Sequence, residues 1–135
     1  MLTTSVLLYC IAALGAAAHA VKYGRGPIPA DYHAEILDRD GGATQSAKMI
    51  LTVVYRVMAG ATLAFALLAA AVALGPLASG ALWAKLVLPV ASVAIAGPAM
   101  MMPRNLERAT GVRTPWRPIL GLMLLVIVAC LLSFL

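Results

Sequence analysis

Four apolar stretches occupy most of the 135-residue chain and constrain its fold more than any other feature. They run over about residues 2–22, 47–75, 81–102 and 117–135. A helix rises about 1.5 Å per residue, so about 20 apolar residues cross the roughly 30 Å hydrocarbon core of a bilayer. We therefore predict an all-α membrane protein. Residues 1–135 should form one integral membrane domain, a bundle of four transmembrane helices.

Composition agrees with a chain whose main partner is the lipid bilayer. Hydrophobic residues make up 63% of the chain and charged residues 11%, against about 45–50% and about 25% in soluble domains. The net charge of +5 does not indicate nucleic-acid binding, because the basic residues flank the apolar stretches. A basic stripe on a folded soluble module, the usual nucleic-acid footprint, has nowhere to form.

The distribution of basic residues predicts the orientation of the chain. Nine of them border the first and third connections: Lys22, Arg25, Arg39, Lys48, Arg56, Arg104, Arg108, Arg113 and Arg117. Cytoplasmic loops carry an excess of Lys and Arg, so both connections should be cytoplasmic and both termini non-cytoplasmic. The first stretch ends in Ala18-His19-Ala20, like a signal peptide, but no basic residue precedes it. We expect a transmembrane helix there, and the Ala- and Arg-rich composition suggests a bacterial inner membrane.

The first connection is the only sizeable polar segment. Glycines and prolines open it, and residues 30–40 then have the pattern of a short helix that ends at Gly41-Gly42. Its acidic residues Asp31, Glu35 and Asp38 share one face, whereas the other face is apolar and aromatic. This pattern predicts a helix lying in the membrane interface on the cytoplasmic side.

Small residues at four-residue spacing predict how the spans pack. Such faces let helix backbones approach closely in lipid, and they occur as Ala12/Ala16/Ala20, Gly60/Ala64 and Ser92/Ala96. The fourth span lacks such a face, so we expect it to face lipid or a partner. Pro89 and Pro98 predict a kink or break in the third span.

Six residues on the predicted cytoplasmic side form the candidate ligand-binding set: Arg56, His33, Glu35, Tyr55, Arg104 and Arg108. An arginine inside hydrocarbon costs about 2.5–3.5 kcal/mol on insertion scales. Arg56 therefore either reaches the headgroups or turns inward to a carboxylate or an anionic ligand. His33 titrates near neutrality and can move protons together with Glu35. The alternative is that both are solvated residues of an interface helix.

Other chemistry has few residues to support it. No catalytic motif is present, neither a phosphate loop, HExxH nor GxSxG. We expect no cofactor and no metal, although haem ligation by His19 and a mixed metal site of His33, Asp31 and Glu35 stay open. The spans contain no carboxylate, which disfavours a proton-coupled exporter. Pro89 and Pro98 keep a transporter open as a further alternative.

Two resemblances to known families stand beside these arguments. The six residues Gly111-Val112-Arg113-Thr114-Pro115-Trp116 resemble the G-[IV]-R-T-P-W stretch of the SdpI-type membrane immunity and signalling proteins. That family continues with a polar segment, whereas Arg117-Pro118 here leads directly into a span. The overall plan resembles the membrane-associated eicosanoid and glutathione enzymes. Their dense Glu/Arg/Asn signature at the start of the second span is missing from Ala47–Arg56.

These observations lead to one functional expectation and one alternative. We expect a small polytopic membrane protein that acts as a non-catalytic accessory or structural subunit, in a larger membrane assembly or a homo-oligomer. Protein partners or self-association through the transmembrane helices follow from that expectation. The alternative is a small membrane enzyme or binding protein for an amphipathic anionic ligand, with its site at the cytoplasmic face.

Overall fold

The computed structural model describes every residue from Met1 to Leu135 and contains helices but no strand. Its helices are α1 (Leu2–Arg25), α2 (Asp31–Arg39), α3 (Gln45–Val72), α4 (Leu82–Thr110) and α5 (Trp116–Ser133). All except α2 are long and apolar enough to cross a membrane. The four predicted spans are thus confirmed as helices. A helix also occupies the predicted segment near residues 30–40, whereas its position in a membrane interface stays a prediction.

The four long helices follow a simple order of neighbours. α1 packs against both α3 and α5, and α5 packs in turn against α4. α3 and α4 approach each other only near the turn that joins them. The order across the molecule is therefore α3, α1, α5, α4. The two outer helices meet at one end of the bundle.

A π-helical segment at residues Ala73–Leu77 extends α3 and closes that end. Pro76 lies inside this segment and has no backbone N–H to donate. The backbone hydrogen bonds here span five residues, as in the bond from the Ala78 N–H to the Ala73 carbonyl at 3.2 Å. Ala73 and Leu77 are fully buried, in one apolar cluster with side chains of α1, α4 and α5. The helix thus extends past residue 75, the predicted end of the span, because its last turn belongs to the core.

The interface between α1 and α5 is close and contains a buried hydrogen bond. The Ser5 hydroxyl donates to the Ala129 carbonyl at 2.6 Å. One turn further along α5, Ser133 is also buried, so Ala129 and Ser133 form a small face at four-residue spacing. The sequence prediction that the fourth span lacks a small-residue face is therefore wrong, although Leu124 and Leu131 on its other side are exposed. It overlooked this small pair, and α5 lies between α1 and α4.

Of the three small-residue faces predicted from the sequence, those on α1 and α4 contain buried residues and the one on α3 is exposed. Ala12 and Ala20 are buried on α1 and Ser92 is buried on α4, in agreement with the prediction. Gly60 and Ala64 are exposed, and nothing lies within 4 Å of a Cβ added at Gly60. The buried small face of α3 instead contains Ala59, Ala66 and Ala69, and Ala73 of the π-helical segment continues it. A shift of one residue along a helix turns a side chain by about 100°, enough to exchange a packed face for a lipid-facing one.

α4 is continuous, although it contains Pro89, Pro98 and Pro103. The expected break near the first two prolines is therefore absent. The helix also continues past the predicted end of the span at residue 102. It ends where Gly111 takes a left-handed conformation with φ 72°, a common C-terminal cap. This extension places Glu107 on the same helix as the apolar span.

Candidate functional site

An open cleft of about 390 Å³ lies where the first and third connections come together. We call this end of the bundle the basic end and the cavity the basic-end cleft. Its wall includes the last turns of α1, the first turns of α2 and the chain between α4 and α5. The charged and aromatic side chains that line it are Lys22, Tyr23, Asp31, Tyr32, Glu35 and Arg113.

The charges in the cleft are largely unpaired. The molecule contains two ion pairs, Arg39–Glu35 and Arg117–Glu107, each at 2.7 Å. Lys22, Arg113 and Asp31 take part in neither, and no side-chain hydrogen bond of theirs is formed within the chain. A cleft with free cations and a free carboxylate can bind charged groups without first breaking an internal ion pair.

A cluster of tyrosines and histidines supports the cleft from the side of the bundle. The Tyr23 ring stacks on the Tyr55 ring with centroids 5.8 Å apart, so α1 and α3 are joined here. Tyr55, which is buried, is hydrogen-bonded through its hydroxyl to His33 Nδ1. The same hydroxyl accepts the backbone N–H of Ala30 at 3.3 Å. Because Tyr23 also lines the cleft, this cluster fixes one of its walls.

Protonation in this cluster follows from burial. Burial lowers the pKa of His33 below its usual range, so the imidazole is neutral near pH 7. A neutral His33 accepts a hydrogen bond from the Tyr55 hydroxyl at Nδ1 and carries its own hydrogen on Nε2. Burial, followed by the nearby Tyr23 phenol, raises the pKa of Tyr32. The phenol of Tyr32 is therefore a neutral hydrogen-bonding group.

α2 is attached to the bundle at both of its ends. At its start, the contacts of His33 and Ala30 with Tyr55 hold it to α3. At its end, the Arg39 guanidinium donates to the Thr110 carbonyl at 2.9 Å, at the C-terminus of α4. No residue of α2 is fully buried. The helix is thus tied across the basic end by side chains and has no packed core of its own.

The far wall of the cleft depends on Glu107. The Glu107 carboxylate accepts hydrogen bonds from the Thr114 backbone N–H at 2.8 Å and from the Trp116 indole at 3.1 Å. It also pairs with the Arg117 guanidinium, which lies over the Trp116 ring. The Thr114 hydroxyl donates to the Pro103 carbonyl at 2.9 Å. These bonds fold the chain between α4 and α5 onto the end of α4, with Arg113 on the rim.

The six predicted site residues are not all at the cleft. Glu35 lines it, and His33 and Tyr55 form the supporting cluster. The Arg56 guanidinium donates to the Gly24 carbonyl, which has no partner within its helix at the C-terminus of α1. Arg104 lies over the Trp116 ring at 5.5 Å, and Arg108 is exposed on α4.

Sequence reasoning missed Lys22, Arg113 and Tyr23 as lining residues and Glu107 as the centre of the third connection. Two signals were available in the chain. His19 and Tyr23 stand four residues apart, a spacing that indicates an aromatic face at the end of α1. In the structure their rings are 4.5 Å from each other. The Gly111–Trp116 stretch combines turn residues with a tryptophan whose N–H requires an acceptor. Nothing local to Glu107 identifies it as that acceptor.

Comparison with known proteins finds no matching family model, curated protein or solved structure. The structure also contains no group of three or more His, Cys, Asp or Glu side chains that could hold a metal ion. What the cleft binds must therefore be inferred from its own side chains.

Proposed function

We propose that this protein binds an amphipathic ligand with an anionic group, and that the basic-end cleft is the binding site. The observation that carries the proposal is that Lys22 and Arg113, both without an internal partner, line one cleft together with the phenols of Tyr23 and Tyr32. Lysine and arginine are the usual donors to phosphate and carboxylate oxygens. Tyrosine hydroxyls add neutral hydrogen bonds.

The amphipathic nature of the ligand follows from what lies next to the cleft. α1 carries exposed apolar side chains along one face, at Leu7, Ile11, Leu14 and Val21. This face reaches Lys22 at the cleft. A ligand with its anionic group in the cleft can therefore lay an acyl chain along α1 within the hydrocarbon. Binding is proposed here without a catalytic step, because the lining residues include no nucleophile activated by a base.

Native mass spectrometry of the protein released from nanodiscs of defined lipid composition tests this proposal. The double variant Lys22→Ala/Arg113→Ala should retain anionic lipid about tenfold less than the natural sequence, equivalent to about 1.4 kcal/mol. The matched control is Lys48→Ala/Arg108→Ala, which removes the same charge at exposed positions outside the cleft. Equal loss in both variants would mean that retention depends on overall charge, and the proposal would be wrong.

A second role, as a subunit that packs through α4, is supported by a separate observation. The three buried residues of α4, Ala84, Leu88 and Ser92, all lie in its first half. The half nearer the basic end contains no buried residue, and the large apolar side chains Met101 and Met102 are exposed there. We propose that a transmembrane helix of a second copy of this chain covers this half. Native masses that remain at one copy of 14.0 kDa in several mild detergents would contradict the role.

We further propose that the protein resides in a bacterial inner membrane with the basic end on the cytoplasmic side and both termini on the other. The support is the excess of Lys and Arg at the first and third connections. A single cysteine introduced at Asp38, in a variant without Cys10 and Cys130, should react with membrane-impermeant maleimide only after the cells are opened. Labelling of intact cells at this position would reverse the proposed orientation.

A further inference from the structure

We propose that the group recognised in the basic-end cleft is zwitterionic, an anionic phosphate or carboxylate joined by a short linker to a primary ammonium. This inference rests on the proposed function and narrows its ligand class. Asp31 and Glu35, one turn apart on α2, line the same cleft as Lys22 and Arg113. The cleft thus presents carboxylates and cations to one ligand.

The carboxylates of α2 disfavour a ligand that carries negative charge alone. Asp31 has no ion-pair partner, and Glu35 contacts Arg39 through Oε1, which leaves Oε2 free. Two like charges about 4 Å apart repel by about 1 kcal/mol even at the dielectric constant of water. An ammonium on the ligand turns this repulsion into attraction. The arrangement therefore favours opposite charges at the two ends of one small group.

The geometry of donors and acceptors favours a primary ammonium over a quaternary one. A primary ammonium carries three N–H donors, enough for both carboxylates and one tyrosine hydroxyl. A quaternary ammonium has no N–H, and it is usually recognised by the faces of several aromatic rings. The only aromatic side chains that line the cleft are Tyr23 and Tyr32. The volume of about 390 Å³ is near the lower end of ligand sites, about 300–1,000 Å³, and suits a headgroup more than a large molecule.

Three water-soluble compounds provide the direct test with the purified full chain in detergent. They are glycerophosphoethanolamine, glycerophosphocholine and glycerol 3-phosphate, and their dissociation constants are measured by isothermal titration. The ethanolamine compound should bind about tenfold more tightly than the other two, the effect expected of one charge-assisted contact. The variant Asp31→Asn/Glu35→Gln should reduce this preference to less than about twofold and leave binding of glycerol 3-phosphate unweakened.

The matched control is Asp38→Asn/Asp40→Asn, which removes the same charge from exposed residues that do not line the cleft. It should keep the tenfold preference. If glycerol 3-phosphate binds as tightly as the ethanolamine compound and Asp31→Asn/Glu35→Gln changes nothing, the zwitterionic inference is wrong and the proposed function stands. If none of the three compounds binds and Lys22→Ala/Arg113→Ala retains anionic lipid like the natural sequence, the proposed function itself is wrong.

A membrane lipid and a soluble molecule can present the same zwitterionic group, and a second experiment separates these sources. Nanodiscs that contain equal amounts of phosphatidylethanolamine and phosphatidylglycerol are exchanged against the protein, and the retained lipids are identified by native mass spectrometry. Selective retention of phosphatidylethanolamine, lost in Asp31→Asn/Glu35→Gln, supports the inference with a lipid as the source. Tight binding of the soluble ethanolamine compound without lipid selectivity supports it with a soluble source. The absence of selectivity in both experiments overturns the inference.

Discussion

Gly15 lies where the Leu122 side chain of α5 reaches the backbone of α1. A Cβ added at Gly15 would lie 2.5 Å from Leu122 Cδ2 and 3.1 Å from Cδ1. The contacting atoms are the tip of a flexible side chain, so Gly15→Ala should cost little, because Leu122 can change its rotamer. Gly15→Leu adds three further carbon atoms to the same space. Extra methylene groups in a packed interior cost about 1–3 kcal/mol, and we expect a decrease of that size in the free energy of unfolding.

The assay is titration of the detergent-solubilised protein with sodium dodecyl sulfate, followed by the fluorescence of its two tryptophans. The matched control is Gly121→Leu, the same substitution on α5 where an added Cβ meets nothing within 4 Å. Its effect should remain within about 0.5 kcal/mol. The double variant Gly15→Leu/Leu122→Ala should recover about 0.5 kcal/mol or more relative to the sum of the single effects. Strict additivity, or equal effects of Gly15→Leu and Gly121→Leu, would refute the close approach of α1 to α5.

Three further outcomes follow from the contacts described above. Ser5→Ala should lower the free energy of unfolding by about 0.5–1.5 kcal/mol in the same titration, whereas Tyr9→Phe should not lower it, because the buried Tyr9 hydroxyl has no hydrogen-bond partner. Glu107→Gln should accelerate hydrogen exchange at residues 111–114, while Glu35→Gln, which breaks an exposed pair of equal length, should leave them unchanged. Burial lowers the pKa of His33, so a detached α2 binds more protons than an attached one. Its attachment should therefore weaken as the pH falls below about 6.5. Hydrogen exchange over residues 31–39, corrected for the intrinsic rates, should be faster at about pH 5.5 than at about pH 7.5. This difference should disappear in His33→Gln.

The long helices were predictable because they depend on a simple physical requirement. A backbone in hydrocarbon must satisfy its own hydrogen bonds, so each apolar stretch of sufficient length becomes a helix. The short helix in the first connection was predicted from different signals, its two-faced pattern and the glycines Gly41 and Gly42, which end it with positive φ. The prediction of where the second span ends failed at Pro76, where burial of Leu77 outweighs the missing N–H and the helix continues as a π segment.

The pairing of helices was less predictable, because the apolar pattern of a span in lipid does not distinguish a packed face from a lipid-facing one. Small residues are the remaining signal, and they are ambiguous in an alanine-rich chain. Gly60 and Ala64 have the required spacing but are exposed, whereas Ala129 and Ser133 form the actual contact on α5. The choice depends on which helix lies opposite, and that is a property of the whole bundle.

The sequence predicted the chemistry of the candidate site and the connections that form it, but few of the residues that line it. Clustering of charge at the first and third connections indicated a polar face, and Glu35 lies in the cleft. Arg56 was predicted to be a ligand-binding residue because it is a charge in an apolar span, yet its partner is the Gly24 carbonyl. Lys22 and Arg113 are 91 positions apart (113 − 22). Only the packing of α5 between α1 and α4 brings their connections together.

The most direct test of a ligand site in the basic-end cleft is photo-crosslinking with an ethanolamine phospholipid that carries a diazirine close to its headgroup. The protein in nanodiscs is irradiated and digested, and the modified residues are located by mass spectrometry. We expect adducts on residues 22–35 and 113–115, reduced about tenfold in Lys22→Ala/Arg113→Ala. The proposed site would be contradicted if the adducts were confined to the exposed half of α4 and this variant did not change their intensity.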